Sequence, residues 1–235
     1  YGNLLRMANQ NLFDASKEEK EYYKLALSMS ASVQAKRWTN TKEGGFIYSF
    51  NGPHSLFIDT IRTARIVLAG HKLKHRSLDE NDTKIDLLQR AIEHALTTAK
   101  YAVFYGEGRD IYDEWGRVAH ESIFNTNDGQ YRCPNSQQGF SGFTTWTRGL
   151  AWAMVGFSEF LEFLESEKLS FEGLEDVKAT LLKAAKATCD FYIKYTSSNG
   201  IPYWDTGAPN INKLGNYSER EAEINNSYEP IDSSA

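Results

Sequence analysis

Two tryptophans and an arginine lie close together in the stretch from Thr145 to Trp152, which reads TWTRGLAW. An indole face covers the apolar C–H surface of a pyranose ring, and a guanidinium group offers a planar fork of donors that matches a carboxylate. On a helix, Arg148 and Trp152 share one face because they are four residues apart, whereas Trp146 approaches from the N-terminal end. The spacing indicates a binding site for a sugar acid. The alternative is that both tryptophans belong to the core and Arg148 caps a carbonyl.

The composition excludes several classes of protein. A chain of 235 residues can bury one large core, and its aromatic content of 13% leaves many rings for stacking on sugars. The net charge of -5 at pH 7 argues against a nucleic acid or an anionic membrane surface as the partner. The longest apolar run, residues 150–164, contains Glu159 and Glu162 and is too short to cross a bilayer. We therefore expect one domain, residues 1–235, with no nucleic-acid partner and no membrane span.

The cysteines give no sign of a metal centre. Cys133 and Cys189 lie far apart, and neither has a cysteine or histidine neighbour at zinc-ligand spacing. We therefore expect neither a metal site nor a disulfide framework.

Apolar residues recur with helical spacing along much of the chain. The segments 23–37, 81–105 and 174–195 each carry a one-sided apolar stripe, which predicts amphipathic helices that face outward. The segments 56–73 and 146–164 are apolar on more than one face, which predicts inner helices, with Gly149 and Gly156 allowing close approach. The chain is thus predicted to alternate inner and outer helices.

Similar segments rich in polar residues and glycine recur at 39–46, 126–131 and 196–203. We interpret them as the ends of the outer helices in a repeat. A third inner helix is predicted to open at Asp232. The pattern indicates an all-α toroid in which loops deliver Asp59, Arg148 and Asp232 to one rim, with this chain supplying roughly half of the ring. Such a piece is expected to leave apolar helix surface uncovered. The alternative is an open helical-repeat scaffold that binds partners.

Taken together, these motifs resemble the unsaturated glucuronyl hydrolases of glycoside hydrolase family 88. The resemblance spans nearly the whole chain and rests on TWTRGLAWAM, preceded by HES at 120–122 and QQGFS at 137–141, and followed by PYWD at 202–205 and DSSA at 232–235. It implies an (α/α)6 barrel and the removal of 4,5-unsaturated uronic acid from the nonreducing end of lyase-generated oligosaccharides. It implies an unsaturated uronyl oligosaccharide as partner and no metal or organic cofactor.

The resemblance also implies an unusual reaction, in which a vinyl ether is hydrated. An aspartic acid protonates C4 of the unsaturated ring, water adds at C5, and the resulting hemiketal opens and expels the aglycone; one carboxyl group serves as acid and then as base. The residue that matches this aspartic acid is Asp59. Considered without the resemblance, Asp59 would form a helix-surface ion pair with Arg62, three residues further on.

The other expected site residues are carried over one by one from the family. His120 matches a histidine near the reacting ring, and Gln138 matches a donor to the sugar. Trp146 and Trp152 match aromatic walls, Arg148 a cation near the uronate carboxylate, and Ser233 a lining residue. On chemistry alone, His120 would be a structural group and Gln138 or Gln137 a loop brace. We expect His71, His75 and His94 to be solvated. His54 is expected either to be a turn residue or to face the central cavity of the toroid.

One departure from the family concerns a second essential aspartate. Family members carry it in a His-Asp sequence, which we expect before Tyr1, so that the 235-residue chain alone is expected to be inactive or nearly so. Three alternatives stay open: a rhamnogalacturonyl hydrolase on the same barrel, a noncatalytic helical carbohydrate-binding fragment, and a sugar epimerase. The last would need pairs of histidines, for which the chain offers His120 and His54.

Overall fold

Helices dominate the computed structural model of the chain, in which residues 1–78 and 84–235 are described. The α-helices are α1 (Gly2–Asn9), α2 (Lys17–Lys36), α3 (Thr63–Lys72), α4 (Leu87–Tyr101), α5 (Thr147–Ser166) and α6 (Leu174–Tyr195). Short 3₁₀ helices lie at Ile58–Arg62, Ile211–Leu214 and Tyr217–Glu219. The strands are β1 (Trp38–Thr41), β2 (Gly44–Ile47), β3 (Ser55–Phe57), β4 (Ser77–Leu78), β5 (Lys84–Ile85), β6 (Glu121–Asn125) and β7 (Gln130–Asn135).

Local sequence explains where the outer helices begin. Ser16 caps α2 by accepting a hydrogen bond from the backbone N of Glu19 at 3.1 Å, and the Glu19 carboxylate accepts from the backbone N of Ser16 at 2.8 Å. This reciprocal capping box satisfies two donors that the first turn leaves free. Asp86 caps α4 by accepting a hydrogen bond from the backbone N of Gln89 at 3.0 Å. Both helices therefore start at residues whose short side chains accept from the backbone.

The helices form two layers in the order that the apolar spacing predicts. The outer layer holds α2, α4 and α6, with α4 in contact with both of the others, while α3 and α5 pack against each other and against this layer. The predicted outer helix at 174–195 coincides with α6, and the one at 23–37 lies within α2 apart from its last residue. The outer helix predicted for 81–105 is α4, which is shorter than predicted, because residues 84 and 85 form β5 and the helix ends at Tyr101. The predicted start at Asn81 lies outside the described residues. Of the predicted inner helices, 146–164 corresponds to α5, whereas 56–73 is helical only from Ile58, as a 3₁₀ helix followed by α3, because residues 55–57 form β3.

The inner helices approach neighbouring elements closely at glycine residues, as the small residues of α5 predict. A Cβ atom added to Gly156 of α5 would lie 2.4 Å from the Ile61 Cγ2 atom, and one added to Gly70 of α3 would lie 2.5 Å from the Ala31 Cβ atom. Around these contacts, the core contains Leu150, Phe157, Phe160 and Leu181, which are all at most 1% exposed. This close packing holds the 3₁₀ helix before α3 against α5.

Strands are the feature that the all-α expectation missed, so the fold is helix-rich rather than purely helical. A three-stranded antiparallel sheet has the order β3-β6-β7, and β1 pairs with β2. The recurring segments at 39–46 and 126–131 lie at hairpins of this kind instead of ending outer helices. Gly129 adopts a φ of 66°, which suits the tight turn between β6 and β7. No helix opens at Asp232, where residues 232–235 instead form a turn.

The expectation that His94 is solvated is wrong. Its side chain is fully buried in α4, where Nδ1 accepts from the backbone N of Ile47 at 3.2 Å and Nε2 lies 2.8 Å from the carbonyl oxygen of Thr60. Because a carbonyl only accepts, Nε2 carries the proton. Burial lowers the pKa of His94 from its usual 6.5 to about 4, although the Thr60 carbonyl opposes this shift. A neutral histidine thus braces the 3₁₀ helix that carries Asp59.

The other histidines outside the site vary in exposure. His71 and His75 are half-buried rather than solvated, and His75 Nε2 lies 2.7 Å from the hydroxyl of Ser32. His54 is exposed in the turn before β3, which agrees with the turn alternative.

Apolar side chains also lie on the outside of α2. Tyr22, Leu25, Met29 and Val33 follow one another at helical spacing and are between 50% and 59% exposed. This stripe agrees with the expectation of uncovered apolar helix surface. Across the described ranges, no helix combines the length and the apolar character that a membrane crossing requires.

The burial of His94 predicts an acid-sensitive fold. The unfolded chain binds a proton at His94 below pH 6.5 while the folded chain does not until about pH 4, so stability is complete above pH 6.5 and falls as the pH drops. The loss attributable to His94 is about 3 kcal/mol at pH 4. Urea unfolding between pH 4 and 7 measures it. His94→Gln is expected to be less stable at pH 7 but to have a flatter pH dependence, whereas the exposed control His54→Gln keeps the wild-type slope. Equal slopes in the two variants would contradict this assignment.

Candidate active site

Asp59 and His120 meet because β3 pairs with β6. The antiparallel register places Phe57 opposite Glu121, and the backbone N of Ile58 donates to the carbonyl oxygen of His120 at 3.0 Å. The next residue, Asp59, then lies beside the histidine ring, with 3.4 Å between its Oδ2 atom and His120 Nε2. The Asp59 side chain is 33% exposed and that of His120 only 1%, so the aspartate is the member of the pair that a ligand can reach.

The hydrogen bonds of His120 define its tautomer. Its Nδ1 atom accepts from the backbone N of Gln137 at 2.9 Å and from that of Gln138 at 3.3 Å. In the neutral ring the proton must therefore sit on Nε2, the nitrogen that faces Asp59. Both Nε2 and Asp59 Oδ2 are buried and lack a regular hydrogen bond within the described chain. At 3.4 Å the two atoms are within ion-pair range but farther apart than in an ordinary hydrogen bond.

Aromatic rings hold the imidazole from two sides. The ring centroids of Phe57 and Trp146 lie 4.9 Å and 4.8 Å from that of His120. Trp146 precedes α5 and is 5% exposed, so most of its indole packs against the histidine instead of forming an open wall. On the outer side, Phe50 stacks on Phe57 at 5.4 Å and is 82% exposed. The stack fixes the plane of His120 through shape and dispersion.

Arg148 is paired with a carboxylate of the protein itself. Its Nη2 atom lies 3.0 Å from Oδ2 and 3.1 Å from Oδ1 of Asp232, and its guanidinium carbon lies 5.4 Å from the Trp146 ring centroid. Burial alone would raise the pKa of Asp232, but hydrogen bonds from Ser234 and Arg148 outweigh it and lower that pKa. Ser233, expected to line the site, is exposed and makes no hydrogen bond in the described part of the chain.

Trp152 is covered on one side by Arg62. The guanidinium carbon of Arg62 lies 5.1 Å from the Trp152 ring centroid, and its Nε atom lies 3.1 Å from Oε2 of Glu159. The helix-surface pair between Asp59 and Arg62 is therefore not formed, because each residue has a different partner. The ion pair with Arg62, which was the structural alternative for Asp59, is therefore not observed.

The two glutamines after β7 have different surroundings. Gln138 is exposed, and its side chain makes no hydrogen bond within the described ranges, so its amide is available to a ligand. Gln137 instead donates from its side chain to Glu121 at 3.2 Å and acts as the loop brace. Nothing in the spacing of the sequence indicated the role of Glu121, because its donors come from distant segments.

Two further buried carboxylates support the rim. Asp205 accepts from the backbone N of Phe140 at 2.8 Å and from that of Gly207 at 2.9 Å, and burial raises its pKa. Glu229 accepts from the indole N–H of Trp204 and the backbone N of Asn210, both at 2.7 Å. The PYWD motif therefore packs and braces loops. Among the described residues, no cluster of three or more His, Cys, Asp or Glu side chains could hold a metal ion.

The chain is similar to a group of enzymes that act on sugars. A family model described as Glycosyl Hydrolase Family 88 matches residues 7–196. An unsaturated glucuronyl hydrolase of Formosa agariphila is 25% identical over 198 residues, or 82% of this chain and 42% of that protein.

Solved structures show the same likeness in the fold. The unsaturated glucuronyl hydrolase of Bacillus sp. GL1, described as responsible for the degradation of glycosaminoglycan, has a TM-score of 0.60 and 23% identity, over 81% of this chain and 44% of that one. An unsaturated glucuronyl hydrolase specific for heparin has a TM-score of 0.60 and 18% identity, over 84% and 46%. The chain spans less than half the length of each of these proteins.

The packing of Trp146 predicts that Gly149 cannot carry a side chain without cost. A Cβ atom at Gly149 would lie 2.8 Å from Trp146 Cε3 and 3.1 Å from Ile58 Cγ2. Gly149→Ala is therefore expected to lower the free energy of unfolding by about 1–2 kcal/mol, even though alanine favours a helix by about 1 kcal/mol. Urea unfolding measures the change. The control Gly2→Ala, whose added Cβ meets only Leu27 Cδ2 at 3.7 Å, should not destabilise the fold. A Gly149→Ala variant as stable as the wild type would refute this packing argument.

Proposed function

The chain belongs to glycosyl hydrolase family 88, and on this premise we propose that the protein removes 4,5-unsaturated uronic acid from the nonreducing end of oligosaccharides by hydrating the vinyl ether double bond. The observation that carries the proposal is the pairing of the partly exposed Asp59 with the buried His120 at 3.4 Å. We also propose that residues 1–235 form a single domain and roughly half of an (α/α)6 barrel. The alternation of outer and inner helices supports this part of the proposal.

Asp59 is the proposed general acid and base. Its Oδ2 atom faces His120, while Oδ1 makes no hydrogen bond with the rest of the described chain and is free for substrate and water. The protonated carboxyl gives its proton to C4 of the unsaturated ring, and the carboxylate left behind takes a proton from the water whose oxygen bonds to C5. The hemiketal formed at C5 then opens and releases the aglycone. The carboxyl group ends the hydration step in its starting protonation state.

His120 is proposed to orient this carboxyl group. A neutral imidazole with its proton on Nε2 donates toward Asp59 Oδ2, which leaves Oδ1 as the oxygen that exchanges protons with the ligand. The stack of Phe57 and Trp146 keeps the ring from rotating. Positioning of this kind contributes to the rate because it is present before substrate arrives.

Arg148 is proposed to bind the uronate carboxylate while paired with Asp232. Asp232 engages Nη2 alone, and the Arg148 side chain is 40% exposed. Donors therefore remain for a second carboxylate, and Asp232 holds the guanidinium in place for it. Gln138, Trp152 and Ser233 are the proposed further contacts of the oligosaccharide, the first because of its free amide and the second because of its half-buried indole.

The proposed acid is tested by Asp59→Asn. The conjugated double bond of an unsaturated uronyl disaccharide absorbs in the ultraviolet, and hydration removes that absorbance. The substitution is made in the full-length protein, because the 235-residue chain alone is expected to be inactive. It keeps the shape of the side chain but removes the acid, so the rate should fall about 100- to 10,000-fold. Asp128→Asn, in the exposed β6–β7 turn, is the matched control and should keep the wild-type rate. Wild-type turnover by Asp59→Asn would refute the role of Asp59.

The same assay separates the alternatives for the whole protein. A preference for pectin-derived unsaturated substrates would favour a rhamnogalacturonyl hydrolase. A well-folded protein that leaves the absorbance of every such substrate unchanged would favour a noncatalytic carbohydrate-binding role.

The carboxylate grip is tested by Arg148→Ala. A hydrogen-bonded charge pair with the substrate is lost, so KM for an unsaturated uronyl disaccharide should rise about 10- to 100-fold. Arg132→Ala removes an arginine that pairs with Asp128 on the hairpin and serves as the control. Inhibition by a neutral disaccharide should be the same in the wild type and in Arg148→Ala. An unchanged KM in Arg148→Ala would show that the carboxylate binds elsewhere.

A further inference from the structure

Glu121 is a fully buried carboxylate that the proposed reaction does not use. It follows His120 directly at the start of β6 and is 0% exposed. Its Oε1 atom accepts from Asn51 Nδ2 at 2.6 Å and from the hydroxyl of Ser55. Its Oε2 atom accepts from Asn135 Nδ2 at 2.7 Å and from Gln137 Nε2 at 3.2 Å. A carboxylate held by neutral donors alone, as here among the described residues, is costly to bury, so the arrangement calls for a reason.

The donors to Glu121 come from the segments that build the active site. Asn51 and Ser55 lie in the loop and strand that lead to Asp59, whereas Asn135 and Gln137 lie at the end of β7 and in the loop that follows. Gln137 links the two residues by donating twice, from its side chain to Glu121 and from its backbone N to His120 Nδ1. The carboxylate is thus tied to the atom that determines the tautomer of His120.

We propose that Glu121 is a positioning residue that keeps the proton of His120 on Nε2. The inference rests on the proposed function, because the proton on Nε2 affects the reaction only by orienting the carboxyl group of Asp59. If the loop at 135–138 moved away, Nδ1 would lose its two donors, and the proton would be free to occupy either nitrogen. An imidazole with an unprotonated Nε2 would accept the carboxyl proton of Asp59 at Oδ2, away from Oδ1, the oxygen that exchanges protons with the ligand.

The number of donors explains why a carboxylate stands at this position. Two carboxylate oxygens accept the four hydrogen bonds, whereas a glutamine amide has one oxygen and would turn its NH₂ group toward donors. Glu121→Gln therefore keeps the size of the side chain but breaks part of the network. The adjacent loop is then expected to loosen while the core formed by α3 and α5 stays intact.

The first test measures the tautomer in the folded chain. Long-range ¹H–¹⁵N correlation spectra distinguish protonated from unprotonated ring nitrogens, and the wild type should show His120 protonated on Nε2. In Glu121→Gln the His120 signals should indicate a mixture of both tautomers. Glu229→Gln is the matched control, because Glu229 is another buried carboxylate held by neutral donors, and it should leave the tautomer of His120 unchanged. An unaltered Nε2 tautomer in a folded Glu121→Gln variant would overturn the proposal.

The second test measures turnover in the full-length protein. Because a displaced acid slows the chemical step more than it weakens binding, Glu121→Gln should lower kcat about 10- to 100-fold and change KM less than about twofold. Gln137→Ala should lower kcat in the same direction, and the double variant should lose less than the product of the two single effects, since both act through one loop. Multiplicative losses would overturn the proposed route through Gln137.

The two tests separate this inference from the proposed function. If Glu121→Gln does not fold, Gln137→Ala carries both measurements, and a wild-type tautomer and kcat in that variant would overturn the proposal. If the wild type shows no turnover at all, the proposed function fails, whereas the spectra still report whether Glu121 controls the tautomer.

Discussion

The antiparallel pairing of β3 with β6 is the constraint on which the site depends. The strands are short, but their register aligns Phe57 with Glu121, and one residue further the bond from Ile58 N to the His120 carbonyl extends the pairing. A shift of the register by one residue would turn every side chain of β3 to the opposite face. Asp59 would then leave His120, and Ser55 would leave Glu121. The chemistry of the site is therefore set by backbone hydrogen bonds.

Buried polar groups surround this pairing and give it a single arrangement. His94 joins the carbonyl of Thr60 to the backbone of Ile47, and Asp205 joins the loop at 140 to the turn at 207. Each of these groups would be expensive to bury if its partners moved away. Apolar packing supplies the larger share of stability, because one core of buried side chains runs through the helices from α2 to α6. The polar contacts select which of many compact arrangements is reached.

Sequence reasoning located most of the helices and named the residues of the candidate site, and its failures have physical causes. Periodicity over 15 to 22 residues located α4, α5 and α6, since a long amphipathic pattern averages out exceptions. The three residues of β3 are too few for alternation to be visible. The position of His94 in an outer helix predicts a solvated side chain, and only the approach of β2 and the 3₁₀ helix buries it. The pairing of Arg148 with Asp232 was missed because no local pattern relates such distant residues. The resemblance to a family named the charged residues but not the partners that hold them.

The distance along the chain between Arg148 and Asp232 has a consequence for biosynthesis. The two residues are 84 positions apart, and at typical rates of translation the ribosome needs roughly 4 to 17 s to add the residues between them. The helices α5 and α6 have left the ribosome well before Asp232 does. During that interval Arg148 has no carboxylate from its own chain at Nη2, and the nascent chain presents an uncompensated cation at the mouth of α5. Until Asp232 is synthesised and docks, the guanidinium group of Arg148 therefore lacks the partner that holds it in place in the finished chain.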